Sequence, residues 1–467
     1  MLKSKTIEIL KTFSPREWND CRNYMSSTYL NENKNLLQLF DLLKKFQPDF
    51  DNEQLNKQQL YSELFTHKKY NDQKMRHLLS DLTIKLEDYL AYISFYTDKQ
   101  LQHQLKLKEL AKRDCEKSYS NKFKNQSASP FLNTEYYWNN YNQQFNHLNN
   151  WLGKRKRSDT NAIEVISSHL DKFYVARKLQ LTCETINARK LLSKDEKKLN
   201  LKLLIDYLKS TRYKDAPFIL VYQSILQILL DKQPKKQFEV LGSLLAQHEK
   251  DFSLEDLREM YQYAMNFCIR WINQGEEEYL RALFEIYKII LANRVIFLEG
   301  YLSQWDYKNL VTLSLRLSES NWTIRFINDY AKHLRAAERE NAFTYNLAYF
   351  HFHKKQYAKT LSLFQKVTFT DVVYQLDVRS ILLKIYFEDG EEETFFYHAA
   401  AFKAFLHRNK QIATAQQELY KNLIRYTIKL LRAGTNRTEL LLIKKEIDAN
   451  PKVADIKWLK EKVEELR

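Results

Sequence analysis

Residues 341–371 read NAFTYNLAYFHFHKKQYAKTLSLFQKVTFTD. The first half, through Leu347 and Ala348, and the second, through Phe364, read as two helices with a turn at Tyr357. A hairpin of this kind has two apolar faces, and only stacking on neighbouring hairpins buries both. Copies are therefore expected on either side. Tyr307-Lys308-Asn309-Leu310-Val311 recurs as Tyr420-Lys421-Asn422-Leu423-Ile424, with Tyr345-Asn346-Leu347-Ala348 between them. Asn346 follows Asn309 by 37 residues and Asn422 follows Asn346 by 76, which is one period and two of a two-helix repeat. Asn266 precedes Asn309 by 43 residues, in a related setting.

The rest of the chain agrees with a helical stack. Its 467 residues contain six glycines and six prolines, where average usage gives about 30 and somewhat over 20. Both residues punctuate structure, so a chain nearly without them has few turns and long elements. Helix starts are marked by Ser14-Pro15-Arg16-Glu17, by Ser193 with Glu196, and by Ser253 with Asp256. Over residues 72–97, Met75, Leu79, Leu82, Leu86, Tyr89, Ile93 and Tyr96 alternate at spacings of 4 and 3. That heptad stripe suits packing on other helices and is extended in expectation through Leu101, Leu105 and Leu110. No segment alternates with period two, so strand content should be near zero.

The quoted unit resembles a tetratricopeptide repeat. Leu347 and Ala348 match the leucine-small pair of its first helix, Tyr357 the aromatic at the turn, and Phe364 the aromatic of the second helix. Val367 takes an alanine-favouring position, Thr360 stands where alanine is usual, and no proline closes the unit. Further stretches resemble a large family of all-helical, tetratricopeptide-like proteins of Bacteroidota. They are Asn71 to Arg76 with the heptad helix, Leu170 to Tyr174, Asn266 to Ile269, Tyr307 to Leu310, and Asp371 to Leu376. The resemblance implies the fold and brings no activity with it.

The polar stretch SYSNKFKNQSASP, residues 118–130, is expected to be a linker. It separates an N-terminal helical domain over 1–117 from a tetratricopeptide-like solenoid over 131–467. No run of 18 apolar residues occurs and the opening Met1 to Lys5 leads into a helical pattern, so neither a membrane span nor a signal peptide is expected. Cys21, Cys115, Cys183 and Cys268 are far apart and form no CxxC, as expected of free thiols in the cytoplasm. The net charge of +16 is dispersed: residues 1–160 carry 26 Lys/Arg against 19 Asp/Glu, residues 401–467 carry 15 against 8, and residues 251–300 carry 5 against 9.

Chemistry-bearing motifs are scarce. No glycine-rich phosphate loop, HExxH, GxSxG or catalytic-cysteine signature occurs, so neither catalytic residues nor a cofactor or metal is expected. His351 and His353, two residues apart, point to different faces of a helix. Two candidate surfaces remain. In tetratricopeptide domains that clamp a peptide terminus, an asparagine of the first helix faces the groove, and Asn346 fits that place best. Tyr307, Asn309, Tyr345, Asn346, Tyr420 and Asn422 are the expected groove lining; the same asparagines equally suit a ladder of bonds between helices. The clamp's cationic partners are missing, since Asp377 and Ile381 occupy their places. The second surface is basic. Lys74, Arg76 and Lys85 lie in 56–87, which loosely resembles a helix-turn-helix, and Lys154, Arg155, Lys156 and Arg157 follow the aromatic helix around Tyr137, Tyr141, Phe145 and Trp151. The expectation is a non-enzymatic protein- or peptide-binding scaffold, with a nucleic-acid-binding regulator as the alternative.

Overall fold

The computed structural model describes residues 4–124, 131–152, 160–191, 201–210, 213–230, 235–366, 369, 371–450 and 452–467. Among the described residues there are twenty-three α-helices, two short 3-10 turns and no strand; a lone antiparallel bridge joins Leu298 and Tyr301. The chain divides into two compact units, residues 1–129 with 139–167 and residues 130–138 with 168–467.

The first unit begins with α1 (Lys5–Leu10), α2 (Pro15–Ser26), α3 (Lys34–Lys44) and α4 (Lys57–Leu64), all packed on α5 (Asp72–Thr97). The heptad stripe explains this: Met75, Leu79, Leu82, Leu86 and Tyr89 are buried among Trp18, Phe40 and Leu43. The Tyr89 hydroxyl donates to the Glu17 carbonyl at 3.1 Å, tying α5 to α2. The Ser14–Glu17 capping box forms as expected. The stripe does not run on through Leu101. Asp98 leaves the helical region at ψ 91° and its carboxylate accepts from the Leu101 N–H at 2.8 Å, starting α6 (Lys99–Lys112). The expected linker at 118–130 is helical in its first part, as α7 (Glu116–Lys124). Tyr119 is the reason: it is buried, stacks on Phe123 and His147, and its hydroxyl meets His147 Nδ1 at 3.1 Å. Residues 125–130 lie outside the described residues.

The helices α8 (Thr134–Leu152) and α9 (Thr160–Leu191) are cut by the division; α10 (Lys202–Ser210) follows. Beyond them the second unit is a run of pairs: α11 (Pro217–Leu230) with α12 (Lys235–His248), α13 (Leu254–Asn273) with α14 (Glu278–Ala292), and α15 (Gln304–Arg316) with α16 (Ser320–Tyr330). They continue as α17 (Ala336–His353) with α18 (Tyr357–Phe364), α19 (Val372–Glu388) with α20 (Glu392–Arg408), and α21 (Thr414–Ala433) with α22 (Arg437–Ala449). A single helix, α23 (Ile456–Leu466), closes the order. First helices also pack on first helices, α15 on α17, α17 on α19, α19 on α21 and α21 on α23. Cores are shared between successive hairpins, as where Phe395, Phe402, Leu423, Leu430, Leu459 and Val463 of α20, α21 and α23 belong to one cluster. Ser253 and Asp256 form the expected capping box of α13, whereas Ser193 lies outside the described residues.

Candidate functional site

The helix α19 is mostly apolar, yet it carries Asp377, Lys384 and Glu388 at i, i+7 and i+11. At 100° per residue these three fall within about 40° of one another. They form one polar stripe along a helix whose other faces bury Leu376, Leu383 and Ile385. Buried charges of this kind persist only when paired. Each is paired here, and every partner lies outside α19.

Asp377 gathers three first helices. Lys308 of α15 forms an ion pair with its Oδ2, and both side chains are largely withdrawn from solvent, at 16% and 23% exposure. The Tyr345 hydroxyl of α17 donates to Oδ2 at 3.3 Å and the Tyr420 hydroxyl of α21 to Oδ1 at 3.4 Å. The Lys308 ammonium also lies 6.0, 5.4 and 5.5 Å from the ring centroids of Trp305, Tyr345 and Tyr374. A cation surrounded by aromatic faces gains from their quadrupoles where water is excluded. Burial first, and then the Asp377 charge, push the Tyr345 and Tyr420 hydroxyls well above the ordinary tyrosine value, so both stay protonated as donors.

The remainder of the stripe binds the segment around α23. Asp455 forms an ion pair with Lys384 and accepts from the Ser380 hydroxyl at 3.0 Å. Burial works to raise the Asp455 carboxyl, but Lys384 and Ser380 together hold it below the ordinary value. Glu388 accepts from Trp458 Nε1 at 2.6 Å, from Lys462 Nζ at 3.1 Å and from the Tyr357 hydroxyl. Burial opposes its charge, and these three donors outweigh it, so Glu388 also titrates below its ordinary value. The Asn422 amide donates to the Lys452 carbonyl at 2.9 Å, and the Ala454 N–H to the Leu419 carbonyl at 3.1 Å. Lys457 meets Glu277, 180 residues earlier, at 3.0 Å.

The expected groove residues therefore do different things. Tyr307 is fully buried and donates to the Ile327 carbonyl at 2.5 Å, binding α15 to α16. Tyr345 is buried and Tyr420 half-buried, both turned onto Asp377. Asn346 is fully buried; its amide nitrogen donates to the Ala342 carbonyl at 2.7 Å and its Oδ1 has no partner. Asn422 is half-buried and spans to Lys452. Asn309 alone of the six is exposed, and it lies beside the Tyr287 hydroxyl. Of the expected groove lining, packing thus turns Tyr345 and Tyr420 onto one carboxylate of α19, holds Tyr307 against α16 and leaves Asn309 open to solvent.

The described basic candidates each have a local partner. Lys74 and Arg76 stand about 200° apart around α5. The Lys74 ammonium lies 4.0 Å from the Phe65 ring centroid, Arg76 pairs with Asp72 at 2.9 Å, and Lys85 pairs with Asp88 at 3.2 Å. Lys154, Arg155, Lys156 and Arg157 lie outside the described residues. The helix α4 is seated in the core through Leu60 and Tyr61.

Lys308 stands inside the repeated Tyr-Lys-Asn-Leu and Asp377 stands where a clamp would carry a cation, so both were visible in the sequence as residues. The periodicity of 377, 384 and 388 was the available signal that they share a face. Among the described residues no group of three His, Cys, Asp or Glu is placed to hold a metal, and no helix is long and apolar enough to cross a membrane. No family model, no curated protein and no solved structure matches the chain.

Proposed function

We propose that residues 213–467 form a tetratricopeptide-like superhelical stack and that the protein is a non-enzymatic scaffold binding other proteins or peptides. The observation that supports this is the packing order: each second helix packs on its own first, and first helices pack on first helices at α11 with α13 and from α15 through α23. Stacks of this kind offer one long face built from many short units. The middle of that face, around Asp377, is filled by the chain's own side chains, which moves the proposed docking row to what stays open. On α15, Trp305, Asn309 and Arg316 lie within about 40° of one another. All three are exposed, Trp305 at 38%. The few residues that dominate binding at protein interfaces are enriched in tryptophan, tyrosine and arginine. Cytoplasmic residence is part of the proposal and rests on four unpaired thiols, Cys21, Cys115, Cys183 and Cys268.

The test is capture of partners from nuclease-treated native lysate, with wild-type protein and with Trp305→Ala/Arg316→Ala. The proposal expects a defined protein partner that the variant loses while keeping its helical circular dichroism. Identical capture by both, or recovery of nucleic acid alone before nuclease treatment, would overturn it.

A further inference from the structure

Arg379 points away from the polar stripe, two residues and about 200° from Asp377. Its guanidinium lies over the ring of Phe405 on α20, 4.3 Å from the centroid. Its Nε is buried and has no hydrogen-bond partner. Among the described residues no carboxylate pairs with it. The backbone on either side is fixed: the Arg379 carbonyl accepts from His398 Nε2 at 2.8 Å, and Ser380 is held by Asp455. Arg408 stands three residues after Phe405, so it rises from the same face of α20. The one side-chain hydrogen bond of Arg408 runs to the Ala404 carbonyl at 3.4 Å, and no carboxylate of the described residues pairs with it either. Burial, and then the Arg408 charge, pull the Arg379 guanidinium below its ordinary value.

The half-buried Arg379 guanidinium, with its Nε enclosed and no counter-charge, is an unfavourable arrangement in the empty protein, whereas the exposed Arg408 is hydrated. A bound oxyanion would supply the missing counter-charge to Arg379 and take a second contact from Arg408. The nearest acidic run on these helices, Glu391 to Glu393, opens α20 and lies about 18 Å along the axis from Phe405. The surplus of seven positive charges over residues 401–467 adds a favourable field for an anion.

We propose that Arg379 and Arg408 form an oxyanion site that takes a phosphate group. Guanidinium forks match a tetrahedral oxyanion, because their parallel N–H groups reach two of its oxygens together. Phe405 holds the first fork flat, and the His398 contact fixes the backbone behind it. The site is separate from the Trp305–Arg316 row and stands whether or not that row binds a protein.

Inorganic phosphate is the probe, titrated into the full-length protein at ionic strength held constant with sodium chloride. The melting temperature is followed for wild type, Arg379→Gln and Arg408→Gln, with acetate as a second anion. Wild type should show a saturable rise with phosphate and little with acetate. Arg379→Gln should abolish the rise, and Arg408→Gln should raise the half-saturating concentration about tenfold, the loss of one charge-assisted contact. Arg408 is exposed, so its variant keeps the fold and carries the test if Arg379→Gln is unstable. A rise that chloride reproduces, a rise equal in both variants, or an equal response to acetate would overturn the phosphate site.

Discussion

Removing the carboxylate of Asp377 should loosen the joint between α15 and α19 more than removing the whole pair. Asp377→Ala leaves the Lys308 ammonium, 16% exposed, without its counter-charge inside a ring of aromatic side chains. Uncompensated charge in such a place costs about 3 kcal/mol. The Tyr345 and Tyr420 hydroxyls lose an acceptor, but their contacts at 3.3 and 3.4 Å are long, and each adds about 0.5 kcal/mol. The expected loss is therefore about 4 kcal/mol. Lys308→Met/Asp377→Leu removes both charges and keeps the volume, and should fall within about 1 kcal/mol of wild type. The two units need not unfold together, so a global melt is a poor reader. Amide hydrogen exchange resolved over Val372–Glu388 reports the local opening free energy instead. Additive losses, with a coupling below about 0.5 kcal/mol, would show that Lys308 and Asp377 act as an ordinary surface pair and would refute the reasoning.

Three further outcomes follow from the same structure. Glu388 and Asp455 titrate below their ordinary values, so their contribution to stability is full above the carboxylate range and is lost as pH falls through their folded values; Tyr345, Tyr349 and Tyr420 titrate above the ordinary value of 10.0, so theirs is full below that pH and lost above it. A melting-temperature profile with a plateau between about pH 5 and 9 checks this, and a maximum outside that span would contradict it. Of four thiols, only Cys115 should react quickly with a disulfide reagent in native protein: Cys21 and Cys268 are pushed up to about 12 by burial and Cys183 is fully enclosed, so their reaction awaits unfolding. Asn346→Leu should leave stability within about 1 kcal/mol of wild type, because it replaces one internal bond and removes an oxygen with no partner; a loss above about 3 kcal/mol would mean that Oδ1 is satisfied.

Local signals were legible in the sequence and long-range ones were not. The Ser14 box, the heptad face of α5 and the turn at Tyr357 all depend on residues a few positions apart, and each stands where its chemistry puts it. Asp98 shows the limit of periodicity, since one side chain capping the next helix ended a stripe whose apolar spacing ran on. Tyr119 shows another, because its partner His147 lies 28 residues away and turns a polar segment into a helix. The repeat itself was visible as Tyr-x-Asn-Leu, but its asparagines drew attention over the lysine between them. Lys308, Tyr345 and Tyr420 reach Asp377 from 69, 32 and 43 residues away, and only the stacking of four first helices brings those distances to zero.

The central claim is that the polar stripe of α19 holds the segment around α23 in place, which brings Lys457 of α23 to Glu277 at the start of α14. Zero-length carbodiimide cross-linking read by mass spectrometry tests it most directly at Lys457 and Glu277. Both are exposed, at 68% and 65%, and stand 3.0 Å apart across 180 residues of sequence. The structure predicts an amide between them in the monomer. A Lys457 that couples only to carboxylates within residues 437–467, with Glu277 unmodified by any lysine of α23, would contradict this placement of α23.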